Sequence, residues 1–322
     1  MKTLFRLVAL CAGIAMPLAA GAQNYPAKPI LMVVPLQAAS AVDVMMRVAA
    51  QKMSENLGQQ IVIENQAGAA GLIGAERVTR AAPDGYTIAG ISDSVLTMVP
   101  HMHRKIGFDP VTGFEPVGMV AAITWVLIAH PSLPAKNVRE FVNLAKASPG
   151  KLDFSSGGLG SPQHMAMEMF SSAAGIQLTH VPYRGATQAA LDVVGGRIPV
   201  MFTALSIVLQ HIREGKVRAL AVAGRQRSPL LPEVPTVSEA GLPGFTFYTW
   251  AGIYAPLGTP RPVVERLNAE IAKAVSDPAV REKLSGLGLE PASGTPAQLA
   301  EETRSGYARM GKAIRDANIK PE

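Results

Sequence analysis

The sequence predicts an α/β protein of two Rossmann-like lobes around a ligand cleft. Three observations lead there. Short apolar runs alternate with segments of helical period along the chain. One such series is complete by about residue 100, and a second begins at Trp125. After a Pro-rich surface excursion over residues 228–243, an apolar run returns at residues 250–254, so the chain crosses between lobes twice. Mainly parallel sheets are the expected arrangement.

Each element has its own warrant. Residues 1–22 carry Lys2 and Arg6, then an apolar run over residues 7–20 broken by Gly13 and Pro17, and end on Ala20-Gly21-Ala22. This is the order of a signal peptide cleaved after Ala22, and the run is too short to span a bilayer comfortably. Residues 30–34 read as the first strand. The helix after it places Val42, Met45, Met46, Ala49, Met53 and Leu57 on one face, opens with Ser40 and Asp43 three residues apart, and ends at Gly58. A strand over 60–64 and a helix over 71–81 follow. Pro83-Asp84-Gly85 supplies a fixed φ, a side-chain acceptor and freedom at positive φ, and so turns the chain into a strand over 86–91.

The second series opens with a strand over 125–130 and a helix capped by Asn137 and Glu140. Residues 152–156 lead through a Gly-rich loop to Ser161-Pro162, an N-cap with Pro at the first helical position. Residues 180–182 and 200–203 lead to further helices, and 218–223 is the last strand of the set. Helices around Val264, Leu267 and Ile271 and after Thr295-Pro296 complete the chain. The expected division is a signal peptide (1–22), a first lobe (23–123 with 250–322) and a second lobe (124–249).

Composition excludes several classes. Cys11, inside the leader, is the only cysteine, so the mature chain has no thiol for a disulfide, a metal or nucleophilic catalysis. Without Lys2 and Arg6 the chain holds 28 basic and 24 acidic residues, a net charge of +4. No Lys/Arg run suggests nucleic acid, and no second apolar stretch is long enough for a membrane anchor.

In open α/β sheets ligands bind beyond the carboxyl ends of the strands. This points to residues 36–40, 65–71 and 92–97 in the first lobe and 155–161, 183–187 and 203–206 in the second. These loops are poor in carboxylates and rich in Gly, Ser, Thr and helix starts, a chemistry that suits a small anion. Candidate contacts are Leu36, Gln37, Ala38, Ala39, Ser40, Ser92, Ser94, Gly158, Gly160, Ser161, Tyr183, Arg184, Gly185, Phe202 and Thr203. Arg184 either pairs with a ligand carboxylate or is a solvated loop residue, and Trp250 and Tyr254 either wall a pocket or pack a hinge. The Gly-rich loop lacks the Lys of a P-loop, and no nucleotide or other cofactor is expected. A Ser with His164 or His180 and an Asp could form a triad, yet no G-x-S-x-G elbow occurs. His101-x-His103 lacks supporting ligands, so no metal is expected.

Several stretches, in order from Tyr25 to beyond Pro291, resemble the periplasmic solute receptors of tripartite tricarboxylate transporters, the Bug or TctC-type proteins. Among them are YPAKPILMVVP, LGQQIVIEN, AAPDGYTIAG, HVPYRG and GKVRALAVAGRQRSPLLPEVPTVSEAGLPGF. The resemblance implies a fold like type II periplasmic binding proteins and a cleft that closes on a carboxylate held by amides, hydroxyls and water. Its second-lobe motif G-x-G-S-x-x-H falls on Gly158, Gly160, Ser161 and His164, which adds His164 as support for the loop. Its Tyr-Lys/Arg-Gly loop falls on Tyr183, Arg184 and Gly185. The chain departs from the pattern at Ala38-Ala39-Ser40, where Pro-Gly-Gly is usual, at residues 65–71, and at Thr203, where an Asp is usual. Because Ala disfavours positive φ, the first loop is expected to take a different path.

The expected function is that of a non-catalytic, monomeric periplasmic receptor. It would bind a di- or tricarboxylate, an aromatic acid or a similar ligand and deliver it to the membrane permease subunits of a tripartite transporter. Ser40, Ser161 and Thr203 are the expected hydroxyl contacts, with main-chain donors from Ala39 and Gly160. The alternatives are a ligand sensor for a membrane signalling protein and a Ser-dependent periplasmic hydrolase.

Overall fold

The computed structural model describes residues 25–316 and residue 319. The expected leader and its cleavage site lie outside them. The chain enters through β1 (Ile30–Val34), α1 (Ala41–Leu57), β2 (Ile61–Asn65), α2 (Leu72–Thr79) and β3 (Thr87–Ser92). Two short helices, α3 (Asp93–Thr97) and α4 (Val99–Met102), lead to the long strand β4 (Phe114–Ile123). The second sheet is built from β5 (Trp125–Ala129), α5 (Val138–Ala147), β6 (Asp153–Ser156), α6 (Pro162–Ala174), β7 (Thr179–Pro182), α7 (Ala186–Val194), β8 (Val200–Ala204), α8 (Leu205–Arg213) and β9 (Arg218–Val222). The chain then returns through β10 (Thr249–Pro256), α9 (Arg261–Ser276), α10 (Pro278–Gly286), β11 (Leu289–Pro291) and α11 (Pro296–Asp316).

The strand orders are β11-β4-β10-β3-β1-β2 and β7-β6-β8-β5-β9. Both sheets are mixed, which corrects the expectation of mainly parallel pairing. β1 runs parallel to β2 and β3, and β6 runs parallel to β7 and β8. β10 opposes β3 and β4, β11 opposes β4, and β5 opposes β8 and β9. The reason lies in the crossing. β5, β10 and β11 begin at the junction between the sheets, whereas the strands they pair with end there. A continuous apolar run reports burial on both faces but not the direction of the strand. β4 escaped the sequence reading because Pro116 and Gly118 interrupt it, and its pairing with β10 is broken by two register shifts.

Both sheets are covered on two faces. Met32 and Val34 of β1 pack with Met45, Met46, Ala49 and Met53 of α1, while Val33 points the other way, into a cluster with Ala75 and Val78 of α2. In the second sheet Phe154 and Phe202 face α6, and Val126 and Met201 face the helix side of Val193 and Val208. An aromatic cluster fills the first of these faces, with Phe170 at 6.0 Å from Phe141, 5.7 Å from Phe202 and 6.0 Å from Phe245 between ring centroids. Trp250 and Tyr254 are fully packed in the core of the first sheet beside Phe114, and the Tyr254 hydroxyl meets Thr303 Oγ1 at 2.8 Å. They do not wall the cleft.

The sheets meet at one residue. Thr124 donates its N–H to Gly288 O on the β11 side and accepts from Leu205 N–H at the start of α8. Next to it, Trp125 Nε1 donates to Thr249 Oγ1 at 2.7 Å, so the outgoing and returning chains are bonded to each other. Removing the ring at the centre of the aromatic cluster leaves a cavity, so Phe170→Ala is expected to cost about 3–5 kcal/mol, read as a lower urea midpoint.

Candidate ligand cleft

The loops after β1, β2, β3, β6, β7 and β8 converge on a cleft of about 640 Å³, including its open mouth. Of the residues expected from sequence, Leu36, Gln37, Ser40, Ser92, Ser94, Ser161, Arg184 and Gly185 line it. Ala38 and Ala39 lie in the same loop as Gln37 without forming its wall. Gly158 and Gly160 shape the turn into α6, and His164 is buried behind that turn. Tyr183 turns away and donates its hydroxyl to Asp192 at 2.6 Å. Phe202 belongs to the aromatic core, and Thr203 is buried with no hydrogen-bond partner for Oγ1 among the described residues. Neither reaches the cleft, because β8 turns only Ala204 and the first turn of α8 towards it.

Two serines and two buried side chains fix the main loops in the same way. In the first lobe Ser40 caps α1 by accepting from Asp43 N–H at 3.3 Å, and Asp43 reaches back one residue beyond the cap to accept from Ala39 N–H at 2.8 Å. In the second lobe Ser161 caps α6 by accepting from His164 N–H at 3.4 Å, and His164 Nδ1 reaches back to Gly160 N–H at 3.2 Å. Both anchored residues have positive φ, 60° at Ala39 and 72° at Gly160. Each is a capping box displaced by one residue. The Ala39 and Gly160 amides, expected to serve a ligand, are therefore already taken.

The anchors differ in charge. Burial alone would raise the Asp43 carboxyl, but Arg47, Asn65 and the Ala39 N–H together hold it below the usual carboxylate range. Asn65 also donates to Leu36 O at 3.2 Å, tying the loop to the end of β2. His164 is pushed down to about 3 by burial and by its neighbour His180, whose ring lies 4.2 Å away, and is held neutral. Ala at this position does not keep the loop out of the left-handed region. Ala39 adopts the left-handed conformation, as do Ala69 and Ala70 at φ 46° and 51° in the loop after β2. The bonds to Asp43 over-determine it.

Helix starts dominate the wall. α1, α6, α7 and α8 all begin at the cleft, through Ser40-Ala41-Val42, Ser161-Pro162-Gln163, Gly185-Ala186 and Ala204 with Ile207. No side-chain cap is seen on α7 or α8 among the described residues; Leu205 N–H, the first of α8, is taken by Thr124 O, and the other first-turn N–H groups are left for a ligand or water. Among the described residues Arg184 is the one charged residue of the lining, and no carboxylate lines it. Gln163, only 5 % exposed, also faces the cleft, and no protein hydrogen bond to its amide is seen among the described residues. The floor is apolar: Trp125, Ile123, Ala204 and Ile207. Sequence reasoning missed Gln163 and Trp125. Gln163 follows a cap-and-proline signal that marked the helix start itself, and Trp125 opened a strand at the expected crossing.

Among the described residues a nucleophilic site is not assembled. Ser156 Oγ lies 2.6 Å from His180 Nε2, but neither lines the cleft, and Ser156 also accepts from Gly158 N–H at 3.1 Å. No carboxylate is hydrogen-bonded to His180 among the described residues. His101 Nε2 sits 2.9 Å from Tyr307 O, and among the described residues no cluster of three potential metal ligands occurs.

The profile of the tripartite tricarboxylate transporter family receptor matches residues 45–319. The chain belongs to this family. Three solved structures are similar to the receptor. A Rhodopseudomonas palustris protein, Rpa4515 with adipate, is 32 % identical with a TM-score of 0.90, covering 92 % of this chain and 100 % of its own. The periplasmic binding protein BugD is 33 % identical with a TM-score of 0.88, with 92 % and 100 % covered. MatC from Rhodopseudomonas palustris with bound malate is 31 % identical with a TM-score of 0.85, with 90 % and 100 % covered. The receptor is therefore a two-lobed binding protein of periplasmic type, and its relatives are solute-binding proteins rather than enzymes.

Two substitutions test how the first loop is held. Ala39→Gly in the receptor relieves a left-handed residue and is expected to raise stability by about 1 kcal/mol, seen as a higher melting temperature. Asp43→Asn is expected to lower stability at neutral pH. Because the folded carboxyl titrates below its unfolded value of about 3.9, its contribution is complete above that value and lost as pH falls through the folded pKa. Urea curves for the two proteins should converge as pH drops below about 4.

Proposed function

We propose that this protein is an extracytoplasmic receptor that captures a small carboxylate between its lobes and delivers it to the permease of a tripartite transporter. The observation that carries this reading is the convergence of four helix starts and Arg184 on a wall without a carboxylate. Main-chain N–H groups at helix starts and a guanidinium favour an anion and repel nothing from it. The adipate and malate held by similar receptors agree in chemistry.

In this reading Ser40 and Ser161 accept the N–H groups of their own helices and keep their hydroxyl protons for the ligand. Arg184 supplies charge, Gln37 and Gln163 face the bound molecule with neutral amides, and Trp125 packs against its carbon frame. Residues 23–123 with 250–322 form one lobe and residues 124–249 the other, with the chain crossing at Thr124 and near Thr249. Closure excludes water and strengthens each amide-to-carboxylate bond in the lower dielectric. The leader is removed after Ala22 in the periplasm, and the receptor works as a monomer.

A thermal-shift series with adipate, malate, benzoate, glutamate and neutral sugars tests the reading. At least one acid should raise the melting temperature. Arg184→Ala should weaken that acid about 10- to 100-fold by calorimetry, the range for a lost hydrogen bond to a charged group. Binding confined to the sugars would overturn the carboxylate assignment.

A further inference from the structure

The end of β3 brings a buried acid up behind the cleft. Asp93 is 5 % exposed, does not line the cleft, and forms no ion pair among the described residues. Ser92 Oγ donates to Asp93 Oδ1 at 3.2 Å, and Ser92 Oγ stands 3.1 Å from Ser94 Oγ. Ser94 also donates its N–H to Ser92 Oγ at 3.4 Å. Ser92 and Ser94 both line the cleft. The three side chains therefore form a line from the interior to the ligand space.

Each hydroxyl carries one proton, so the line has a direction. With Asp93 ionised, Ser92 donates to the carboxylate, Ser94 donates to Ser92, and Ser94 turns only lone pairs to the cleft. With Asp93 protonated, the acid donates to Ser92, Ser92 donates to Ser94, and the Ser94 hydroxyl proton is released towards the cleft. We infer that Asp93 is a positioning residue for specificity, which through Ser92 sets Ser94 as a hydrogen-bond donor or acceptor towards the ligand. This rests on the cleft being the binding site.

The surroundings leave both states within reach. Burial pushes the Asp93 carboxyl up to about 7, against the opposing Ser92 hydroxyl, the main-chain N–H groups of Ser94 and Trp250, and the charge of Arg309 on α11. Tyr254 on β10 and Tyr248 just before it also lie in its field. His101 on α4 is turned to Tyr307 instead. A ligand that places an acceptor oxygen at Ser94 binds the protonated form and takes up a proton. Its affinity falls as pH rises, by up to about tenfold per pH unit. A ligand that places a hydroxyl or N–H donor there shows the opposite slope.

The test has a ligand-free arm and a ligand arm. In protein labelled with 13C at the Asp carboxyl carbons, the resonance lost in Asp93→Asn should titrate near neutral pH. Its midpoint should shift in Ser94→Ala, because Ser92 then loses a hydrogen bond whose direction differs between the two states of Asp93. A carboxyl ionised throughout pH 5–9, or a midpoint unmoved by Ser94→Ala, overturns the inference. In the ligand arm, adipate binding to the wild type at pH 7 should show proton uptake when compared in two buffers of different ionisation enthalpy. Asp93→Asn, whose amide donates to Ser92 permanently, should bind adipate with no proton uptake and a flat pH profile. Adipate binding without uptake in the wild type, or a wild-type pH profile in Asp93→Asn, overturns it. If no acid in the thermal-shift series binds, the carboxylate reading fails by itself, and the ligand-free titration still decides the relay.

Discussion

The cleft exists because two chain crossings are bonded to each other. Thr124 is hydrogen-bonded through its N–H to the first lobe and through its carbonyl to the second, and the indole of Trp125 is bonded to Thr249 on the returning strand. This junction sets where the sheets face each other. β1, β2, β3, β6, β7 and β8 end towards it, so the loops after them, with the starts of α1, α6, α7 and α8, fall at the same gap. The anion preference of the wall then needs no dedicated cationic pocket. It follows from placing four helices with their N–H ends at one place.

The loops at that gap have to be stiff, since a donor that moves loses its worth to a ligand. Both lobes solve this with a serine cap and a side chain three residues into the helix that reaches back to a residue of positive φ. The first lobe uses an ionised Asp braced by Arg47 and Asn65 and bears an Ala in the left-handed region. The second uses a neutral imidazole stacked on His180, with Gly in that region. The left-handed Ala residues cost about 1–2 kcal/mol each. Of the three, Ala70 lines the cleft, and its methyl group lies close to the second lobe: a Cβ built on Gly158 would stand 3.9 Å from it.

Much of this was legible in the chain. Ser40 and Asp43, Ser161 and Pro162, and Gly58 have strong local chemistry, and the structure uses each of them as caps. β1, β5 and β8 carry apolar runs that mark them within a residue or two, whereas β11, only three residues long, carries no such signal. What the residues did not disclose was direction and distance. The antiparallel sense of β5, β10 and β11 depends on their direction relative to strands distant in sequence, which no local pattern encodes. Phe202 and Thr203 sit at a strand end like the true wall residues, yet the pleat sends Phe202 into the aromatic core and leaves Thr203 unpartnered on the other face. The amides of Ala39 and Gly160 looked free because their acceptors lie on the following helices and only the folded turn brings them within reach.

The contact between lobes bears on how a ligand can be selected. Gly185 lies so close to Gln37 that an added Cβ would stand 2.1 Å from its carboxamide, and one on Gly160 would stand 3.1 Å from Met102 and Val99. These glycines let the lobes approach until the wall is nearly continuous, with room for a ligand only between the helix starts and Trp125. In so close a space a charge without a partner is costly, because little water remains to solvate it. The wall offers Arg184 and helix N–H groups for negative charge, neutral amides from Gln37 and Gln163, and an apolar floor. On the proposed reading, a second carboxylate on the ligand must therefore reach another helix start or the open mouth, whereas a hydroxyl or amide is met by Gln163 where it stands. Selection among acids on that reading rests on where the second polar group falls along this wall, and less on total charge.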